Sequence, residues 1–373
     1  MLHLNKRALP AVAILLIAIP VSGQSISDVN GTVKQDSTIT IIGSGFGSKS
    51  TPAPTVYDNM ESGSFNAAWT STGSVNGTPP GLFINATDGY AGSDYCGYRN
   101  FTGDYGAAAF RKETSASKIF ISYWMKLGAS WDWGEGQSGD PDQYLSSVKF
   151  IRLYSGQQEP MHTYFIINSQ TVGQFRIEYE YIDDKNYTAN NYSGPNCNLW
   201  PGDGWHQIQM QWGESSVAGE LDGVSKVWVD GQLYWNVSDA KTNNTTGPTT
   251  KYPLYIGLHN SRSGVGDEGN NEFYIDEVYY DTSWARVEIG DDPVYDSCTH
   301  REVQLPTFWA ADGDSVQVTV NTGSFGDQVT AYAFVVNSSG DATTGHVITI
   351  NSTAGNPVGI TDPPSDLTAS GGN

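Results

Sequence analysis

The chain has 373 residues, with 40 acidic against 19 basic side chains and a formal net charge of -21. Basic residues are outnumbered about two to one and never cluster beyond a pair, which excludes a nucleic-acid partner, because phosphate recognition draws on concentrated Lys and Arg. No apolar stretch of about 18 residues occurs outside the N-terminus, so a membrane span in the mature chain is excluded too.

Residues 1–23 read as a signal peptide. Lys6 and Arg7 precede an apolar run over 8–20, and Val21 and Gly23 supply small residues before a cleavage that leaves Gln24 first. The mature protein is therefore expected outside the cell, secreted or on the cell surface. Cys96, Cys197 and Cys298 allow one disulfide with one sulfur left over, and no C-x-x-C suggests zinc or thiol redox work. Eleven of 24 asparagines stand in N-x-S/T, the acceptor pattern of a glycoprotein.

From Gln24 onward the apolar residues alternate, and no segment of twelve or more residues keeps a helical period. Strands are predicted at 118–127, 148–154, 162–168, 174–182, 205–212, 226–229, 252–258, 272–280, 315–320 and 329–336. Gly, Asn, Asp and Pro clusters separate them. The fold class is all-β, a jelly-roll β-sandwich inserted in or flanked by a smaller immunoglobulin-like β-sandwich.

Residues 26–47 contain two short strands and then Gly43-Ser44-Gly45-Phe46-Gly47. This resembles the opening of an IPT/TIG domain, in which Phe46 would plug the sandwich end while glycines take positive φ. The next strand that pattern requires comes only at 286–290 (RVEIG). Residues 24–52 and 286–351 are therefore read as two parts of one domain around an insert at 53–285, because neither part alone has enough strands for a core. The alternative is a separate C-terminal β module. Residues 352–373 are rich in Pro, Gly, Ser and Thr and read as linker.

Within the insert, Trp205-His206 opens a strand, V-W-V-D-G follows at 227–231, I-G at 256–257 and I-D-E-V at 275–278. That order resembles the concanavalin A-like lectin/glucanase jelly roll in its laminin G-like form. Asp230-Gly231 is a two-residue hairpin signal. The resemblance implies a carbohydrate-binding protein whose partner is a polysaccharide, held on a sheet face or on rim loops.

Alternation supplies the candidate residues. Arg176, Glu178 and Glu180 share one side of their strand, Gln207, Gln209 and Gln211 one side of the next, and Lys226 and Trp228 one side of a third. If these strands are neighbours, amides, charges and an indole meet on one open face, which suits vicinal hydroxyls and an apolar ring face. Trp131 and Trp133, in a Gly-rich loop, form a second expected glycan platform.

Glu178 and Glu180, with Asp183, also have the spacing of the retaining-glucanase strand, in permuted residue types. Two residues apart on a strand gives about 6 to 7 Å, against the roughly 5 to 5.5 Å of a retaining pair. Glu178 and Glu180 are thus the catalytic candidates of a glycoside hydrolase reading. A polysaccharide lyase would draw on His162, Tyr164, Arg176, Gln207 and Gln209, since uronate elimination needs a base and a neutralised carboxylate. The net charge argues against an acidic polymer. A structural or adhesion role is the third reading. The resemblance further implies a structural Ca2+ on Asp58, Glu61 and Asp276, oxygen donors that calcium prefers.

Overall fold

The computed structural model describes residues 23–72, 81–101, 107–131, 148–155, 161–168, 174–180, 201–217, 220–240, 242, 252–260 and 271–351. Residues 1–22, Trp133, Asp183, Cys197 and the segment 352–373 lie outside the described residues. Among the described residues the regular structure is all-β, apart from 3-10 turns at Tyr90–Gly92 and Tyr295–Ser297.

Four antiparallel sheets stack as two sandwiches. The smaller sandwich has one sheet in the order β1 (Ser25–Asn30), β2 (Thr38–Ser44), β19 (Ser315–Thr319), β18 (Leu305–Trp309), and a second in the order β17 (Arg301–Val303), β16 (Arg286–Gly290), β20 (Thr330–Val336), β21 (His346–Thr349). Ile41 of β2 lies opposite Val316 of β19, so one sheet joins segments about 270 residues apart in sequence. Ile39, Ile41, Val316 and Val318 pack against Val287, Ile289, Ala333 and Val335. Phe46 is fully buried in this core, and a Cβ at Gly43 would come within 2.5 Å of its ring, so only glycine fits there.

The larger sandwich pairs an eight-stranded with a five-stranded sheet. The first runs β13 (Gln232–Ala240), β12 (Gly223–Val229), β11 (Trp205–Gly213), β7 (Lys118–Leu127), β15 (Asn271–Asp281), β5 (Cys96–Phe101), β4 (Phe83–Asn85), with β3 (Val56–Asp58) also pairing β15. The second runs β10 (Gln174–Glu180), β9 (Met161–Asn168), β8 (Val148–Ser155), β14 (Tyr252–Asn260), β6 (Ala107–Thr114). Their shared core takes Ile119, Ile121, Tyr123 and Met125 from β7, Ile208, Met210 and Trp212 from β11, and Leu254 and Ile256 from β14.

The other face of β7 and β11 lies against the smaller sandwich. Phe120 and Tyr279 meet Trp284 and Val303 there. Beside them Arg286, Glu288 and Arg301 are all buried. Arg286 Nε donates to Glu288 at 3.1 Å, and Arg301 Nε lies 3.5 Å from its other oxygen. Gln209 of β11 completes the set, donating to Glu288 at 2.9 Å and accepting from Arg301 at 2.8 Å. Burial would raise the Glu288 carboxyl, and the two guanidiniums reverse this and hold it below the usual carboxylate range. Replacing Glu288 by Gln strands two buried guanidinium charges, so urea unfolding is expected to show a loss of about 3–5 kcal/mol. A loss within experimental error would mean that the bridge does not hold the sandwiches together.

Candidate functional site

The topology corrects the expectation that one face gathers all the predicted sugar contacts. β10, with Arg176, Glu178 and Glu180, is the edge of the five-stranded sheet, whereas β11 and β12 belong to the eight-stranded one. Gln207, Gln209 and Gln211 are each about 1% exposed. Their alternation reflects the junction: Gln207 Nε2 donates to the Arg301 carbonyl at 2.5 Å, Gln209 bridges Arg301 and Glu288, and Gln211 lies beneath Gly340. At Gln207, Gln209 and Gln211 the face is packed on protein and has no room for a glycan. Trp228 is buried with the Arg301 guanidinium 5.9 Å from its ring, while Lys226 is part-exposed beside a cleft. Trp131 is also corrected, being packed in the core of the larger sandwich rather than displayed on a loop.

The three carboxylates expected to hold calcium each accept hydrogen bonds from the protein. Asp58 accepts from the Met60 and Asn66 backbones and from the Trp69 indole, Glu61 from the Asp94 and Tyr95 backbones, and Asp276 from the Tyr90 and Glu277 backbones. Each carboxylate organises its own turn. No group of three or more His, Cys, Asp or Glu among the described residues has a metal-binding arrangement. Cys96 and Cys298 are free and buried, with burial pushing their thiols up to about 12 and about 11.

The five-stranded sheet offers a different constellation. Ile151, Leu153, Leu254, Ile256 and Phe110 point into the core, so the alternate positions belong to the face turned away from it. In register across that face run Glu178, Tyr164, Arg152, Tyr255 and Arg111. The row on one side holds Arg176, Ile166, Lys149 and His259, and on the other Glu180, His162 and Tyr154. Four cationic residues, three carboxylates with Glu113 counted beside Arg111, two histidines and three tyrosines are thereby placed on one side of the sheet. Arg152 and Arg111 are part-exposed, and Arg111 pairs with Glu113 two residues along β6.

Of this set the sequence had pointed to Arg176, Glu178, Glu180, His162 and Tyr164, and had missed Lys149, Arg152, Tyr154, Tyr255, His259 and Arg111. The reason is a β-bulge. Lys149 and Arg152 are three residues apart and would alternate to opposite faces, but the register slips by one between them, so both join the face of Tyr164 and Ile166. Phe150 and Ile151, side by side in the bulge, are both in the core. The two adjacent apolar residues inside K-F-I-R were the available signal.

His206 has a structural place. Asp230 and Gly231 take φ of 47° and 73°, making the tight turn between β12 and β13. Asp230 accepts from His206 Nδ1 at 2.7 Å and from the Gln207 backbone at 2.8 Å, while His206 Nε2 meets Asp203 at 2.9 Å. Burial alone would lower the imidazole, yet the two carboxylates outweigh it and raise it to about 10. A second perturbed group lies in the β15 bulge, where Glu277 takes φ 52°. Burial and the Glu302 charge raise its carboxyl to about 7, although Tyr57 and Asn321 both donate to its Oε2.

Neither a protein-family model nor a curated protein matches the sequence. Among solved structures the chain is similar to alginate lyase Aly36B at 11% identity and a TM-score of 0.40, over 62% of this chain and 98% of that one. It is similar to alginate lyase vAL-1 from Chlorella virus at 11% and 0.39, over 61% and 99%. A third is domain 4 of AbnA, an extracellular arabinanase from Geobacillus stearothermophilus, at 9% and 0.29, over 62% and 95%.

Two pH effects follow. His206 is charged far more readily in the fold than in the unfolded chain, so its contribution is present in full below about pH 6.5 and falls away as the pH climbs to about 10. Asp230→Asn is expected to move that loss to lower pH in thermal melts, and an unchanged profile would contradict the clamp. Glu277 runs the other way. Its raised carboxyl favours the protonated form in the fold, so stability declines as pH rises from about 4.5 to about 7. Glu277→Gln, whose amide oxygen still accepts from Tyr57 and Asn321, is expected to flatten that decline; a slope identical to the parent protein's would assign it to other groups.

Proposed function

We propose that this is an exported protein that binds an acidic polysaccharide on the outward face of the five-stranded sheet. The observation that carries the reading is the gathering of Lys149, Arg152, Arg176 and Arg111 in adjacent register rows. Carboxylate groups spaced along a polymer are matched by cations spaced along a sheet, with Arg favoured for planar, bidentate contact. Tyr255, between Arg152 and Arg111, is buried, and Tyr164 and Tyr154 are the tyrosines of these rows taken to suit the apolar faces of sugar rings. The net charge of -21 is a whole-chain sum, and steering depends on the field over the surface the ligand meets. Within this reading the larger sandwich is a concanavalin A-like jelly roll and the smaller one IPT/TIG-like, supported by the W-H, V-x-V-D-G and I-D-E-V order and by Phe46 in its glycine turn.

A second reading, β-elimination on the same polymer, is favoured by Tyr164 standing in the row of Arg152 and His162 in the row beside it. In that step a base removes the proton alpha to the uronate carboxylate while a cation neutralises the carboxylate. The C4–O bond then breaks, the departing oxygen takes a proton, and a C4=C5 double bond remains.

Affinity electrophoresis against polymannuronate, polyguluronate and a neutral glucan tests both. The expected outcome is retardation by a uronate polymer and not by the glucan, weakened about tenfold or more in Arg152→Ala and reduced by salt. If no uronate polymer retards the protein, the binding reading is wrong. If the bound polymer gains ultraviolet absorbance, His162→Ala or Tyr164→Phe should abolish that gain while retardation persists; retardation without absorbance leaves a binding protein alone.

A further inference from the structure

A cleft of about 410 Å³ opens where the turn at Tyr295–Ser297 and the β20–β21 connection overhang β12. It belongs to the junction side of the eight-stranded sheet, across the core from the outward face of the five-stranded sheet. The connection is shaped by Asn337, whose side-chain oxygen accepts from the Ser339 and Asp341 backbones at 2.8 and 3.1 Å, and by Gly340 at φ 86°. Trp228, Val294 and Tyr295 give the cleft apolar and aromatic walls, and Lys226, Asp296 and Asp341 give it charge. Trp228 is 4% exposed, and its indole N–H is buried with no acceptor among the described residues.

We propose that this cleft is a binding site for a neutral oligosaccharide, separate from the polysaccharide face. Its size falls in the range of small-molecule sites and admits roughly one or two sugar rings. Two exposed carboxylates against one ammonium repel a polyanion, while a bare hydrocarbon would leave those groups without partners. A sugar without charge answers both conditions, offering hydroxyls that donate to Asp296 and Asp341 and accept from Lys226, and a ring face for the aromatic wall. A ligand here would touch β12 of the larger sandwich and the turns of the smaller one together, and so bridge them.

Isothermal calorimetry of the full chain with cellotriose, mannotriose, galactotriose and triguluronate tests the site. At least one neutral triose is expected to bind with a Kd in the range of about 1 µM to 1 mM. Thr344→Arg, which fills the cleft from an exposed position, is expected to weaken it about tenfold or more, and Trp228→Phe to weaken it in a protein shown by thermal melting to be folded. Arg152→Ala is expected to leave the neutral triose unaffected, which keeps this outcome distinct from that of the polysaccharide face. The proposal is overturned if none of the neutral trioses binds, if Thr344→Arg leaves their affinity unchanged, if Arg152→Ala abolishes it, or if triguluronate is the ligand lost in Thr344→Arg.

Discussion

The rest of the structure depends on a counter-charge. Arg286 and Arg301 are both about 1% exposed or less, and the idealised cost of burying such an ion without a partner is on the order of 20 kcal/mol. Glu288 lies between them, and Gln209 from the other sandwich donates to that carboxylate and accepts from Arg301. These bonds require Gln209 of β11 to stand directly beside Glu288 of β16 and Arg301 of β17. The bridge therefore does more than add stability. It specifies which face of the eight-stranded sheet meets the smaller sandwich and at what offset.

That specification decides where function has room. One face of the eight-stranded sheet builds the main core and the other is given to the junction, where Phe120, Tyr279, Trp284 and Val303 surround the polar bridge. The face of the five-stranded sheet turned away from the core takes no part in that junction. The economy of positive charge follows the same division. Arg286, Arg301 and Lys49, paired with Asp281 at 2.7 Å, are buried inside the structure, while Arg111, Lys149, Arg152 and Arg176 stand in adjacent register rows of the five-stranded sheet. A chain with 19 basic residues thus concentrates several of them locally despite its acidic total.

The strands were legible because each is short, alternating and bounded by turn residues. Residues 118–127 coincide with β7, and the Asp230-Gly231 turn closes its hairpin at positive φ. The site was less legible, for two physical reasons. Alternation reports which residues share a side of a strand and is silent on what covers that side, so Gln207, Gln209 and Gln211 read equally well as a sugar platform and as the junction they form. The bulge at Phe150 and Ile151 also breaks the period of two, which separated Lys149 from Arg152 on paper while the fold unites them. Trp131 failed for a related reason, since a Gly-rich context marks a loop and not the direction an indole takes from it.

The chain enters the larger sandwich at β3 and leaves it from β15, and these two strands are paired, with Val56 opposite Tyr280. β2 and β19, which flank the whole excursion, are themselves neighbours. Tension applied between Gln24 and Asn351 would therefore load the smaller sandwich, beginning at the bond of 2.8 Å from the Asn351 backbone to the Val33 carbonyl. The larger sandwich, entered and left through the paired strands β3 and β15, would hang beside that line of force and be spared the strain.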